Sequence, residues 1–200
     1  MSAAGEIAIL ILAAGKSARM GRPKQLLLWK GQPLLRHVAE VALSVPQAAV
    51  HVVLGANQEL VAASLHGLPV KLCPNDCWQE GMGSSVRAGV RAVLDEKPAT
   101  SAVLILLCDQ PLITTELLQE MIRRHQEGAE IVAASYRETL GVPALFGASL
   151  YPELLALQGD QGAKKIIQRH QEQTAVVPFP EAGLDLDTFE DYEQAATPQA

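Results

Sequence analysis

The feature that most constrains the fold is a rhythm. Short apolar runs rich in Val, Ile and Leu recur along the chain, and stretches with helical spacing lie between them. "EIAILIL", "AVHVVLG" and "AVLILLCD" read as strands, the first and last almost unbroken in apolar character. A strand covered on both faces shows this continuous pattern, because neither face can be polar. Between them, "PLLRHVAEVALSV" places Leu34, Val38, Val41 and Val45 near the helical period. "NQELVAASL" reads as a helix with Asn57 as N-cap, and "PVKLC" as a short strand. "SSVRAGVRAVL" and "TTELLQEMIRRH" are helical, the latter capped by Thr114 or Thr115, with Glu116 in its first turn. The β-α-β-α order predicts an α/β fold: a largely parallel sheet with helices on both faces. The second half is less regular. "EIVAASY", "GVPALF" and "TAVVPF" read as strands, "SLYPELLAL" and "GAKKIIQRH" as helices, and "TFEDYEQAA" as a last helix capped by Thr188.

Two hundred residues suit one domain with a real core. The net charge of -6 argues against a general nucleic-acid binder, which needs a cationic face. Local positive charge in such an acidic chain points instead to one small anionic ligand. Cys73, Cys77 and Cys108 have neither zinc nor redox spacing and are expected to be reduced thiols. No apolar run approaches the roughly 18 to 20 residues of a membrane span, so no membrane partner is expected and the cytoplasm is the default location.

In open parallel sheets, ligands sit beyond the carboxyl ends of the strands. Three segments fall there. "LAAGKSARMGRPKQ", Leu12 to Gln25, follows the first strand. Its small residues Ala13, Ala14 and Gly15 permit close approach to the backbone, whose amides suit an anion. Arg19 and Lys24 add cationic donors suited to a polyphosphate. The segment is not a Walker A loop, since Gly21 is followed by Arg22. "NDCWQEGMGSSVRAG" is a loop of small polar residues able to grip a planar base through its backbone. It carries Ser84 as a candidate helix cap and Trp78 as a candidate loop anchor. Asp109 closes "AVLILLCD", where a carboxylate needs a helix N-terminus, a basic residue or a metal as partner. Near a triphosphate, such an oxygen is what Mg²⁺ uses. Near the C-terminus, Asp185 and Asp187 share one side of an extended segment, which could turn two carboxylates toward one cation or merely cap the last helix. The five histidines have no ligand spacing and read as structural.

Together, "LAAGKSARMGRPK", "GMGSSVRAG", "LLCDQPLIT", "GVPALFGASLYPELLALQGDQGAKKII" and "DLDTFEDYE" resemble the molybdenum cofactor cytidylyltransferases of the NTP-transferase superfamily, over about Ile7 to Tyr192. The resemblance implies a Rossmann-like three-layer nucleotidyltransferase fold with a mostly parallel mixed sheet. It implies one domain over residues 1–200, with roughly residues 1–110 binding nucleotide and roughly 111–196 the acceptor. It implies Mg²⁺, CTP and a molybdopterin-type cofactor. The backbone of Leu12, Ala13, Ala14 and Gly15 then contacts the nucleotide, Arg19 and Lys24 neutralise its phosphates, and Ser85 lies where relatives hold the base. Asp109 and Asp187 then hold the metal, with Asp185 competing for the second place. Lys164 could reach the phosphate of the pterin. Relatives that use GTP resemble "LAGG" at the first motif, where this chain has Ala14. One departure is Phe189, where many relatives have proline. Rival readings are a guanylyl- or sugar-phosphate nucleotidyltransferase, and a non-catalytic carrier that delivers finished cofactor. Transient docking to a molybdenum hydroxylase is an associated expectation.

Overall fold

The computed structural model describes residues 6–17 and 21–183. Seven strands form one sheet in the order β5-β4-β1-β6-β8-β7-β9. They are β1 (Ile7–Leu12), β4 (Ala49–Leu54), β5 (Lys71–Pro74), β6 (Ala102–Leu107), β7 (Ile131–Tyr136), β8 (Thr139–Gly147) and β9 (Thr174–Pro178). β2 (Leu28–Trp29) and β3 (Gln32–Pro33) make a separate two-stranded ribbon. β1 pairs in parallel with β4 and β6, and β4 with β5. The sheet is thus mostly parallel and mixed, because β8 runs antiparallel to both β6 and β7.

The antiparallel strand has a local cause. β7 and β8 are joined by Arg137 and Glu138, both at positive φ (46° and 60°). Two successive left-handed residues match the twist of a tight hairpin, although neither residue advertises it in sequence.

Alternate residues of β1 feed two cores. Ile7, Ile9 and Ile11 pack with α1 (Leu34–Leu43), α2 (Gln58–Ala63) and α4 (Thr115–Gln126). Ala8, Leu10 and Leu12 pack with α3 (Met82–Glu96), α5 (Tyr151–Leu155) and α6 (Lys164–Arg169) on the other face. The result is the expected three-layer α/β arrangement. Of two expected caps, one is observed and the other is not. Thr114 does cap α4, accepting from the Leu117 amide at 3.3 Å. Asn57 stands at the start of α2 but is left-handed (φ 56°) and its side chain caps nothing. The expected last helix and its cap Thr188 lie outside the described residues. No helix among the described residues is long and apolar enough to cross a membrane.

Candidate active site

The chain runs from β1 outward to β4 and β5, then returns to the other side of β1 as β6. That reversal makes the carboxyl ends of β1 and β6 a topological switch point, where the separating loops leave a crevice. Leu12 and Leu107 are register partners there. The three segments singled out in sequence converge on it. Ala13 to Lys16, Trp78 to Ser85 and Cys108 to Asp109 contribute to the walls of one cavity of about 440 Å³.

The loop after β1 is held from behind. Ala13 N–H donates to Val53 at 2.9 Å, and the Ala14 carbonyl accepts from Ala56 at 3.0 Å. Ala13 and Ala14 turn their methyl groups into opposite cores. At Gly15, no atom lies within 4 Å of where a Cβ would be. The amides of Ala14, Gly15 and Lys16 donate to no other described residue. Three residues lining the cavity thus carry backbone N–H groups without a partner among the described residues, a feature that suits an anion-binding turn.

The residue that shapes this loop is Gln25, which sequence reasoning missed. It is wholly buried. Its Nε2 donates to the carbonyls of Ala13 (2.8 Å) and Gly15 (2.9 Å), and its Oε1 accepts from Ser17 Oγ at 3.4 Å. Ser17, at φ 56°, accepts in turn from the Lys24 amide at 3.0 Å. Nothing in "RPKQLLL" separates this glutamine from a solvated one.

Lys24 and Asp109 meet across the crevice, the Lys24 ammonium bonding Asp109 Oδ2. Of the three partners open to Asp109 in sequence, a basic residue is therefore observed. Its other oxygen, Oδ1, is buried with no hydrogen-bond partner. A buried carboxylate oxygen left without a partner is the kind of hard ligand that a divalent cation would take. Among the described residues no group of three or more His, Cys, Asp and Glu side chains could hold a metal ion. Asp160 lines the same cavity. Arg19, Asp185 and Asp187 lie outside the described residues. Next to Asp109, Cys108 is pushed up to about 12 by burial first and by the Asp109 charge second. It is a thiol wall of the cavity, not a nucleophile.

The glycine-serine segment corrects one expectation. α3 begins at Met82 with Gly81 (φ 104°) in the cap position, so Ser84 lies inside the first turn and is not the cap. Its hydroxyl donates back to the Gly81 carbonyl at 2.8 Å. Ser85 lines the cavity. Trp78 is half-buried against the second core and also forms cavity wall. Residues 157–160 dock on the start of α3, Gly83 N–H donating to Gly159 at 2.9 Å and Arg87 to the Leu157 carbonyl. That docking brings Asp160 into the cavity. Lys164, exposed at the start of α6, is not among the cavity's side chains.

A three-layer α/β fold with a cavity at the switch point of its sheet, lined by a lysine, a half-satisfied carboxylate and loop residues with unpartnered amides, is an arrangement suited to an anionic ligand. Comparison with known proteins makes the class specific. Residues 9–174 match the MobA-like NTP transferase domain, and the chain belongs to that family. It is 31% identical over 192 residues to nicotine blue oxidoreductase of Paenarthrobacter nicotinovorans, covering 90% of this chain and 92% of that one. It is 30% identical over 196 residues to the purine catabolism protein PucB of Bacillus subtilis, covering 92% and 93%. Among solved structures it resembles Rv0371c of Mycobacterium tuberculosis, with a TM-score of 0.85 and 26% identity over 98% of this chain and 99% of that one. A manganese complex of Rv0371c matches with a TM-score of 0.79 and 26% identity, over 96% and 98%.

Proposed function

We propose that the protein transfers CMP from CTP to the molybdenum-loaded molybdopterin cofactor, giving molybdopterin cytosine dinucleotide and pyrophosphate. The observation that carries this reading is the Lys24–Asp109 pair with Oδ1 left without a partner, beside a cavity-lining loop whose Ala14, Gly15 and Lys16 amides have no partner among the described residues. Family membership supports nucleotidyl transfer in general. The choice of CTP and of the pterin acceptor rests on the motif resemblance, including Ala14 and Pro143-Ala144-Leu145.

In this reaction a phosphate oxygen of the acceptor attacks the α-phosphorus of CTP. A new P–O bond forms, and the bond from that phosphorus to the pyrophosphate leaving group breaks. The attacking group is already anionic, so no strong general base is required. The protein's work is positioning and charge stabilisation. The amides of Ala14, Gly15 and Lys16 receive phosphate oxygens. Arg19 and Lys24 offset triphosphate charge. Ser85 and the backbone around Gly81 hold the base. Asp109 holds Mg²⁺, with Asp187 as the second carboxylate, and the ion supplies charge neutralisation on the phosphates. The first half of the chain, to about residue 110, takes the nucleotide and the remainder the acceptor. Handing the product to a molybdenum hydroxylase by transient docking is part of the same proposal.

The test is pyrophosphate release by purified protein with Mg²⁺, molybdenum-loaded molybdopterin and each of the four NTPs in turn. Release with CTP supports the reading. Preference for GTP overturns the base assignment, and binding of finished cofactor without any release favours a carrier.

A further inference from the structure

Bonded to the cavity-lining Ser85 is a buried amide that does not itself line the cavity and that the proposed reaction does not use directly. Asn75 follows β5 and is only 5% exposed. Its Oδ1 accepts from the Cys77 backbone N–H at 3.1 Å. A backbone N–H can only donate, so the atom facing it is the oxygen and the amide orientation is settled. Nδ2 therefore points the other way and donates to Ser84 Oγ (2.9 Å) and Ser85 Oγ (3.1 Å). Both of its hydrogens are used, one for each hydroxyl.

Each serine must then place its own proton elsewhere. Ser84 gives its proton to the Gly81 carbonyl at 2.8 Å, and that carbonyl also accepts the Ser84 amide at 3.2 Å. Its two lone pairs are occupied. Ser85 Oγ accepts from Asn75, and its proton has no acceptor among the described residues. Ser85 is 6% exposed and lines the cavity.

We propose that Asn75 is a positioning residue that fixes Ser85 as a hydrogen-bond donor, so that the group it meets on the ligand is an acceptor: a carbonyl oxygen or unprotonated ring nitrogen of a nucleobase. An isolated serine donates or accepts equally well. Asn75 presents Ser85 with a donor and no acceptor, so one lone pair stays free but the serine's proton is left for the ligand to satisfy. A base presenting N–H at this point can use the second lone pair, but the Ser85 proton then stays buried without an acceptor, which costs affinity. The proposal rests on the proposed function for two points, that the ligand is a nucleoside triphosphate and that its base lies at Ser85; it does not assume which base is bound.

The experiment is a double-mutant cycle on binding, read by calorimetric titration of each Mg²⁺–NTP in the absence of acceptor. Ser85→Ala weakens the preferred nucleotide by about 3- to 10-fold, the value of one neutral hydrogen bond. Asn75→Asp keeps the shape and the bond from Cys77 but turns a donor into an acceptor, which draws the Ser85 proton away from the cavity. It weakens binding by about tenfold or more in the wild-type background. In the Ser85→Ala background its effect is at least about 5-fold smaller, because no Ser85 proton remains to be redirected. A purely structural role for Asn75, or a simple charge effect, gives the same factor in both backgrounds and overturns the proposal. A second measurement does not depend on Asn75→Asp folding. A nucleotide analogue lacking the base acceptor binds wild type about 3- to 10-fold more weakly than its parent, and Ser85→Ala no more weakly. Equal losses in both proteins overturn the proposal. If GTP is the nucleotide that binds, the CTP reading fails while the cycle, run on GTP, still decides the role of Asn75.

Discussion

Lys24 and Asp109, 85 positions apart in sequence, form an ion pair that closes the crevice between the ends of β1 and β6. The pair leaves one Asp109 oxygen buried and bare. A stable fold has no need of that oxygen, and a half-satisfied carboxylate is costly to bury. Asp109→Asn therefore leaves the melting temperature close to wild type or above it, while nucleotidyl transfer falls at least ~100-fold. Lys24→Ala loses activity by a similar factor and also loses stability, because Asp109 is then buried with neither oxygen partnered. Melting curves alongside initial rates separate the two effects. Near-normal turnover in either variant removes these roles.

Gln25 has a different kind of importance. It holds the carbonyls of Ala13 and Gly15 from within the core and so fixes which edge of the loop faces the cavity. Gln25→Leu fills similar space but leaves two carbonyls and the Ser17 hydroxyl without their partner. The expected cost is about 2 kcal/mol in urea unfolding, with NTP binding weakened at least about tenfold. An unaltered affinity contradicts the view that this amide shapes the phosphate loop.

Gly81 stands at φ 104°, and a Cβ there would lie 2.5 Å from Asp160 Oδ1 and 2.6 Å from the Gly159 backbone. Gly81→Ala is strained on both counts. It is expected to push residues 157–160 off the start of α3, lowering stability by about 1–3 kcal/mol and raising KM for the nucleotide. Denaturant titration and steady-state kinetics check the two parts.

Far from the cavity, His51 is buried in β4. Burial and the nearby Lys71 charge hold its pKa below the ordinary 6.5, although Ala49 acts in the other direction. Its neutral form is thus favoured on folding. The stability this gives is fully present above about pH 6.5 and is lost as the pH falls from there toward the lowered folded value. Wild type should lose more melting temperature between pH 7.5 and pH 5.5 than His51→Gln does. Equal slopes would remove His51 from the account.

The three thiols also differ in a measurable way. Burial lifts Cys73 to about 11 and Cys108 to about 12, while Cys77 is exposed. At pH 8 an aromatic disulfide reagent should titrate one thiol in the native protein and three after unfolding. Rapid native reaction of a second thiol contradicts the buried placement of the other two.

What sequence revealed about this molecule follows from what each element needs. β1, β4 and β6 are covered on both faces, so their apolar character survives in the primary structure and fixes the parallel half of the sheet. The cavity followed, because ligands in such sheets sit beyond strand ends, and Asp109 stands at one. β8 was legible as a strand but not as antiparallel, since the hairpin of Arg137 and Glu138 uses two residues with no turn signature. Ser84 looked like a cap because serine often is one; Gly81 holds that position instead. Gln25 and Asn75 were hidden for a common reason. A buried amide matters through its partners, and those partners are backbone groups and hydroxyls brought near only by folding. Asp160 reached the cavity through a docking contact between Gly83 and Gly159 that no local pattern announces.

The proposed nucleotidyl transfer from CTP to a molybdopterin acceptor would take place at the cavity between β1 and β6. Its most direct test is transfer of label from α-³²P-CTP to molybdenum-loaded molybdopterin, with α-³²P-GTP in parallel and Asp109→Asn as control. One labelled dinucleotide product from CTP and equimolar pyrophosphate are expected, with the rate falling at least ~100-fold in the variant. Preferential labelling from GTP, or an undiminished rate with Asp109→Asn, would contradict it.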